Sequence, residues 1–198
     1  MNTVAVNGTL RTETGKKATK VIRRSGQVPG VIYGGEENVH FSAETLDFRD
    51  LVYTPNFNLA DITIDGKVYQ CILKSASFHP VTDDLEHLDF LLLVPGRTVK
   101  VDLPVRFRGA SPGVKAGGKI VQKLRKVTVK TTPEALVDAL YTDISELELG
   151  HSTRVRDIEL PDGMQLMNPA PIPVATIEIP RALKSAAAQK DAEDQEAD

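Results

Sequence analysis

Two apolar segments that flank the dipeptide Asp65–Gly66 constrain the fold of this chain more than any other feature. Residues 60–64 (ADITI) and 67–73 (KVYQCIL) are rich in residue types that are favoured in strands. Asp-Gly between two such segments is a preferred sequence for a two-residue hairpin turn, because both turn positions need a positive φ angle. The segments therefore predict an antiparallel hairpin.

The sequence around this hairpin predicts a mainly β domain with a few helices. Alternating apolar residues indicate strands, whereas apolar residues at helical spacing, ended by Gly26 and followed by Pro29, indicate a short basic helix. The predicted elements are strands at residues 3–11 (broken by Asn7–Gly8), 31–33, 60–64, 67–73 and 85–94, and helices at residues 17–25 and 44–53. Leu46, Leu51 and Val52 supply the apolar side of the second helix.

A second domain is predicted after Val94–Pro95–Gly96, where strands and turns replace the mixture of helices and strands. Residues 99–108 alternate apolar and polar side chains, turns are expected at 111–113 and 116–118, and further strands at 124–130, 153–160 and 174–179. We therefore expect domains at residues 1–94 and 95–183, the second an all-β sandwich or open barrel. Residues 184–198 are alanine-rich and then acidic, which predicts a disordered tail.

Composition and cysteine content are those of a cytoplasmic globular protein. Hydrophobic residues make up 41% and charged residues 26% of the chain. No apolar run approaches the ~20 residues of a membrane span, and no secretory signal is visible at the N-terminus. The single cysteine, Cys71, cannot form an internal disulfide and is expected to be a buried core thiol.

Charge is segregated along the chain in a way that the formal net charge of −3 hides. Residues 1–35 hold six basic residues and one acid, and residues 97–130 hold ten basic residues and one acid. The segment between them, residues 36–94, holds three basic and eleven acidic residues. Such segregation creates local positive fields, so each basic block is either a solvated face or a surface for a polyanion.

Catalytic and metal-binding patterns are weak. His79, His87 and Asp89 could supply two imidazoles and a carboxylate to a metal, but His79 precedes Pro80 in an expected loop and no fourth ligand is evident. The glycine-rich stretches lack the spacing of a phosphate-binding loop, and no nucleophile elbow is present. We therefore expect no enzyme activity, no metal and no cofactor.

RNA binding accounts for these residues better than a catalytic or metal site does. Arg11, Lys16, Lys20 and Arg23 would supply affinity for phosphates, and an exposed Tyr33 could stack or donate a hydrogen bond. The wide minor groove of RNA is lined by 2′-hydroxyls, so a carboxylate such as Asp89 can also serve as an acceptor. The alternatives are a half-buried sheet residue for Tyr33 and a local ion pair for Asp89.

Several motifs resemble those of one known family. The segments are RTETGKKA at residues 11–18, RR at 23–24 with PGVIYGG at 29–35, and HPV at 79–81 with HLDF at 87–90. They resemble the first and last segments of the N-terminal domain in the family of bacterial large-subunit ribosomal proteins that bind 5S rRNA. The resemblance is to the longer form of that family, the general-stress-protein CTC form. Motifs at residues 109–118, 143–147 and 155–158 are similar to that family's C-terminal β domain, so the likeness covers nearly all of residues 1–180.

The resemblance implies a six-stranded β-barrel-like N-terminal domain that binds the loop E region of 5S rRNA at the central protuberance. The residues implied to face the RNA are Arg11, Lys16, Lys20, Arg23, Tyr33, His87 and Asp89. The family commonly has a glutamine, often followed by a basic residue, where this chain has Ser77–Phe78, so no RNA contact is assigned there.

The expected protein is a monomer within the cytoplasmic ribosome, a structural constituent of the large subunit. Its C-terminal domain would contact neighbouring rRNA or ribosomal proteins. The alternative is a free stress-response interaction protein that is not stably bound to the ribosome.

Overall fold

The computed structural model describes residues 2–180, so the predicted tail at 184–198 lies outside the described residues. The chain divides into two compact units. One comprises the residues up to Val101 together with Lys130–Asp138, and the other comprises Asp102–Val129 and the described residues from Ala139 onward. The predicted domain boundary at residues 94–96 stays a prediction.

The N-terminal strands form a closed six-stranded barrel in the order β1-β3-β2-β6-β5-β4. The elements are β1 (Thr3–Leu10), α1 (Lys16–Arg24), β2 (Gln27–Tyr33), β3 (Val39–Glu44), a 3-10 helix (Thr45–Phe48), α2 (Arg49–Val52), β4 (Leu59–Ile64), β5 (Lys67–Phe78) and β6 (Leu85–Leu92). Parallel pairings of β1 with β4 and of β2 with β6 close the barrel, and the other four pairings are antiparallel. The prediction of a mainly β fold with an N-terminal barrel is confirmed.

Three phenylalanines form the centre of the barrel core. Phe41, Phe48 and Phe90 are fully buried, and their ring centroids lie 5.9–6.4 Å apart in tilted arrangements. Cys71 is buried in the same cluster, and burial, with the charge of Asp61 as a second cause, raises the pKa of its thiol to about 12. The thiol is therefore neutral, as predicted for a core cysteine.

The predicted hairpin is confirmed as β4 and β5. Its turn residues Asp65 and Gly66 have φ angles of 49° and 79°, which is the left-handed region that Asp-Gly provides. The short basic helix is also confirmed, as α1.

One prediction for the N-terminal domain is wrong and another holds only in part. Asn7–Gly8 does not break β1, whose pairing with β4 continues through both residues. Gly8 is needed for a different reason, because a Cβ atom there would lie 2.9 Å from Cδ2 of Phe41. The predicted helix at 44–53 is a 3-10 turn followed by the short α2, and it buries Phe48 and Leu51, whereas Leu46 is exposed.

The C-terminal strands form two small sheets, in the orders β10-β7-β9-β12 and β11-β13-β8. The elements are β7 (Val99–Arg108), α3 (Pro112–Lys115), β8 (Lys119–Gln122), β9 (Lys126–Thr131), a 3-10 helix (Pro133–Ala135), β10 (Leu140–Asp143), β11 (Ser152–Arg154), a 3-10 helix (Val155–Asp157), β12 (Gln165–Leu166) and β13 (Pro173–Glu178). The alternating segment 99–108 is a strand as predicted, with one buried and one exposed face.

Side-chain caps explain where the predictions for this region fail. The expected turn at 111–113 begins α3, because Ser111 Oγ accepts hydrogen bonds from the main-chain N–H groups of Gly113 and Val114. The strand expected at 153–160 ends at Arg154, where the main-chain N–H donates to Oδ2 of Asp157 at 2.9 Å and a 3-10 turn follows. Within residues 2–180, no helix has the length and apolar character needed to span a membrane.

Candidate nucleic-acid interface

Helix α1 carries most of the N-terminal basic block on the outside of the barrel. None of its nine residues is buried, and it packs on β2. Gly15 at its N-terminus provides no side-chain cap, whereas Ser25 Oγ donates to the carbonyl of Ile22 at the other end. A nine-residue helix is marginal in isolation, so the conformation of α1 depends on its attachments to the barrel.

Arg11 makes the first of these attachments. Its Nη2 donates to the carbonyl of Glu13 at 3.3 Å and to Oγ1 of Thr19, within α1, at 3.5 Å. Its main-chain N–H donates to the carbonyl of His40 at 2.9 Å. Arg11 therefore joins the end of β1 to the first turns of α1, and only part of its guanidinium can serve a ligand.

Arg23 makes the second attachment, to strand β6. Its Nε donates to the main-chain carbonyl of Glu86 at 3.0 Å, and its Nη1 lies 3.7 Å from Oε1 of the same residue. The two residues are separated by 63 positions in sequence. The contact holds the C-terminal half of α1 beside β6.

His87 and Asp89 follow Glu86 on β6 and lie on the same outward face. Nδ1 of His87 is 3.0 Å from Oδ1 of Asp89, so an Nδ1–H group donates to the carboxylate. This contact is the local pair that was the alternative for Asp89, but both side chains remain more than a third exposed. A second oxygen of Asp89 and Nε2 of His87 therefore remain able to bind a ligand. Ser75 and Ser77 lie opposite them on β5.

Tyr33 lies at the end of β2, next to this pair. Val31 is the cross-strand partner of Asp89, and Tyr33, two residues further along, is half-buried. Burial in the first place, and the negative charge of Asp89 in the second, raise the pKa of the Tyr33 hydroxyl above its ordinary value. The hydroxyl therefore keeps its proton near neutral pH and can donate a hydrogen bond.

The seven residues predicted from the sequence thus lie on adjoining elements. Arg11 bonds to α1, which carries Lys16, Lys20 and Arg23, and Arg23 bonds to β6, which carries His87 and Asp89. Tyr33 lies on β2, which pairs with β6, and the charge of Asp89 affects its hydroxyl. Lys16, Lys20, Arg23, Arg24 and Glu86 line one groove of about 450 Å³, which we call the basic groove. Sequence reasoning did not select Arg24 or Glu86, and no local pattern marks Glu86 as part of a basic surface.

The metal-binding alternative finds no support in residues 2–180, where no group of three or more histidine, cysteine or acidic side chains is placed to hold a metal ion. Nδ1 of His79 accepts from the main-chain N–H groups of Val81 and Thr82, at 3.4 and 3.3 Å. This imidazole is therefore part of the loop that connects β5 and β6.

Two family models match the chain in sequence. Residues 6–90 match the model of the ribosomal L25p family, and residues 98–181 match that of the ribosomal protein TL5 C-terminal domain. The chain is 42% identical to the large ribosomal subunit protein bL25 of Cytophaga hutchinsonii, over 96% of this chain and 100% of the relative. It is 39% identical to that of Amoebophilus asiaticus, over 96% of each chain, and 37% identical to that of Phocaeicola vulgatus, over 95% of this chain and 98% of the relative.

Proposed function

Since the chain belongs to the ribosomal L25p family of the bacterial large subunit, we propose that its barrel binds 5S rRNA, in the loop E region at the central protuberance. The protein is a structural, non-enzymatic constituent of the cytoplasmic ribosome. The relatives carry the name of a ribosomal subunit protein, which favours this role over that of a free stress-response module.

The observation that carries the proposal is that Arg11 and Arg23 attach α1 to the barrel beside β6, next to the end of β2 that carries Tyr33. It places a cationic helix beside a strand with a histidine–carboxylate pair and a tyrosine hydroxyl that is a donor. Lysine and arginine supply affinity through phosphates, without reading the sequence. The polar groups on β2 and β6 suit the 2′-hydroxyls and base edges of an RNA minor groove, where donors and acceptors are both needed.

The C-terminal unit has a further role in this proposal. Its basic residues, such as Lys119 and Arg125, are exposed and could contact neighbouring rRNA or ribosomal proteins. A single copy of the protein would act in each ribosome. Binding of the isolated 5S rRNA tests the barrel's role without these additional contacts.

Substitution of Asp89 by alanine should weaken binding to 5S rRNA by about 1–3 kcal/mol, because one acceptor of the minor-groove surface is lost. Filter binding with the full-length chain measures the effect. Asp65→Asn is the matched control, because it also removes one negative charge but lies in the β4–β5 turn, where asparagine tolerates the left-handed conformation. If Asp89→Ala binds as well as the control variant, Asp89 is not part of the interface.

Substitution of Arg11 by alanine should also weaken binding by about 1–3 kcal/mol, through loss of a guanidinium that contacts RNA. Arg11 has internal hydrogen bonds as well, so Thr19→Val provides the comparison. This variant removes the Oγ1 acceptor of Arg11, and the bond from the same Oγ1 to the carbonyl of Gly15, but keeps the cation. An equal loss of affinity in Thr19→Val would show that the placement of α1, and not a direct contact of the Arg11 guanidinium with RNA, sets the affinity.

A further inference from the structure

Glu86 has a location that the proposed function does not explain. It is the one acidic member of the five side chains that line the basic groove, together with Lys16, Lys20, Arg23 and Arg24. A carboxylate in a groove that attracts phosphates reduces the positive potential there. The charge of Glu86 therefore opposes the binding of any phosphate placed beside it.

The fold does not depend on this carboxylate. The ion pair between Oε1 of Glu86 and Nη1 of Arg23 is long, at 3.7 Å, and each side chain is about a third exposed. Pairs of this kind contribute little to stability, because water screens them. Arg23 is held by the main-chain carbonyl of Glu86 at 3.0 Å, and that bond does not require the glutamate side chain.

The Glu86 carboxylate binds Arg23 in the way that a phosphate oxygen would bind it. Arginine binds carboxylates and phosphates through the same donors, so a phosphate that enters the basic groove competes with Glu86 for Arg23. The competing phosphate is also repelled by the negative charge. A hydrogen-bond donor, such as a 2′-hydroxyl or a base amino group, is attracted by the same carboxylate.

We propose that Glu86 is a specificity-determining residue, which disfavours RNA that places a phosphate at this point of the basic groove and accepts RNA that presents a hydrogen-bond donor there. This inference rests on the proposed function, and its ligand is the RNA bound by the barrel. Glu86 thus contributes to selection, whereas the surrounding cations contribute to affinity.

The test compares Glu86→Gln with the wild-type chain on two ligands, 5S rRNA and a short duplex RNA of unrelated sequence, over a range of salt concentrations. Glutamine keeps an acceptor for Arg23 and removes the charge. We expect the affinity for the unrelated duplex to rise about three- to tenfold, and the slope of log affinity against log salt to steepen by about 0.7–0.9, as one more phosphate is neutralised. The affinity for 5S rRNA should stay the same or fall, so the ratio of the two affinities decreases.

Asp65→Asn is again the control for net charge, and it should change neither the salt slope nor the ratio of affinities. The inference is overturned if Glu86→Gln behaves like Asp65→Asn, or if it changes binding of both RNAs by the same factor. An equal loss would make Glu86 only a positioning residue for Arg23, and an equal gain would make it only a source of general repulsion. Failure of the wild-type chain to bind 5S rRNA would instead overturn the proposed function. Thermal unfolding of each variant should match the wild type, because the ion pair is exposed.

Discussion

Replacement of Phe41 by alanine is expected to lower the free energy of unfolding of the barrel by about 3–5 kcal/mol, the usual range for truncation of a buried phenylalanine. Phe41 is fully buried and contacts the rings of Phe48 and Phe90. The strands on both sides of it carry glycines, and a Cβ atom at Gly30 would lie 2.7 Å from Cζ of Phe41. These two glycines have no side chains that could move into the space that the ring leaves.

Hydrogen exchange of the β2 and β6 amides, followed by mass spectrometry, measures this loss in the full-length chain. Exchange reports the opening of the barrel itself, whereas a global unfolding curve combines two units. Leu46→Ala is the control, because Leu46 is 77% exposed and its truncation should change stability by about 0.5 kcal/mol or less. A loss under about 1 kcal/mol for Phe41→Ala would show that the aromatic cluster is not the main support of the barrel.

Simultaneous replacement of Lys16, Lys20 and Arg24 by alanine should reduce the affinity for 5S rRNA about 100-fold at physiological salt, because three phosphate contacts are lost. Each phosphate contact of an RNA-binding protein contributes about 0.7–0.9 to the slope of log affinity against log salt, so three lost contacts reduce the slope by about 2–3. Filter binding at several salt concentrations measures both quantities. Alanine favours helix, so α1 should keep its conformation.

Arg23 is left in place in this variant because its Nε bond to Glu86 attaches α1 to the barrel. The control is a triple alanine variant at Arg49, Lys67 and Lys115, which are exposed, lie outside the basic groove and carry the same total charge. An unchanged salt slope in the α1 variant, or an equal loss in the control, would place the phosphate contacts elsewhere on the chain.

Strand β3 shows why the sequence predicted only part of the barrel. Val39–Glu44 (VHFSAE) alternates apolar and polar residues, but only Val39 and Phe41 are types favoured in strands, and the segment was not predicted as a strand. It is nevertheless paired on both sides in the barrel, with β1 and β2, and it provides Phe41 to the core. Ser42 is buried and bonded to Thr9 and Gln27, side chains that are distant in sequence. These partners, which local periodicity cannot detect, compensate for the polar composition of β3.

The candidate site, like the barrel, was predictable from the sequence only in part. The cations of α1 were predictable, since they are adjacent in sequence and the helix begins and ends near local signals. The motifs that resemble the L25p family indicated Tyr33, His87 and Asp89 as well. The internal bonds of Arg11 and the proximity of Arg23 to Glu86 were not predictable, because they depend on contacts between α1 and the remainder of the barrel.

The sequence by itself determined the β4–β5 hairpin and the basic helix, because each depends on residue types and spacing within one short segment. It also determined the mainly β character and the family, because these depend on several such segments taken in order along the chain. Only the tertiary structure decided that β2 and β6 pair in parallel, although more than fifty residues separate them, and that Glu86 therefore lies among the cations of α1. Parallel pairing of distant strands has no local sequence signature, because its stability comes from the core that both strands cover.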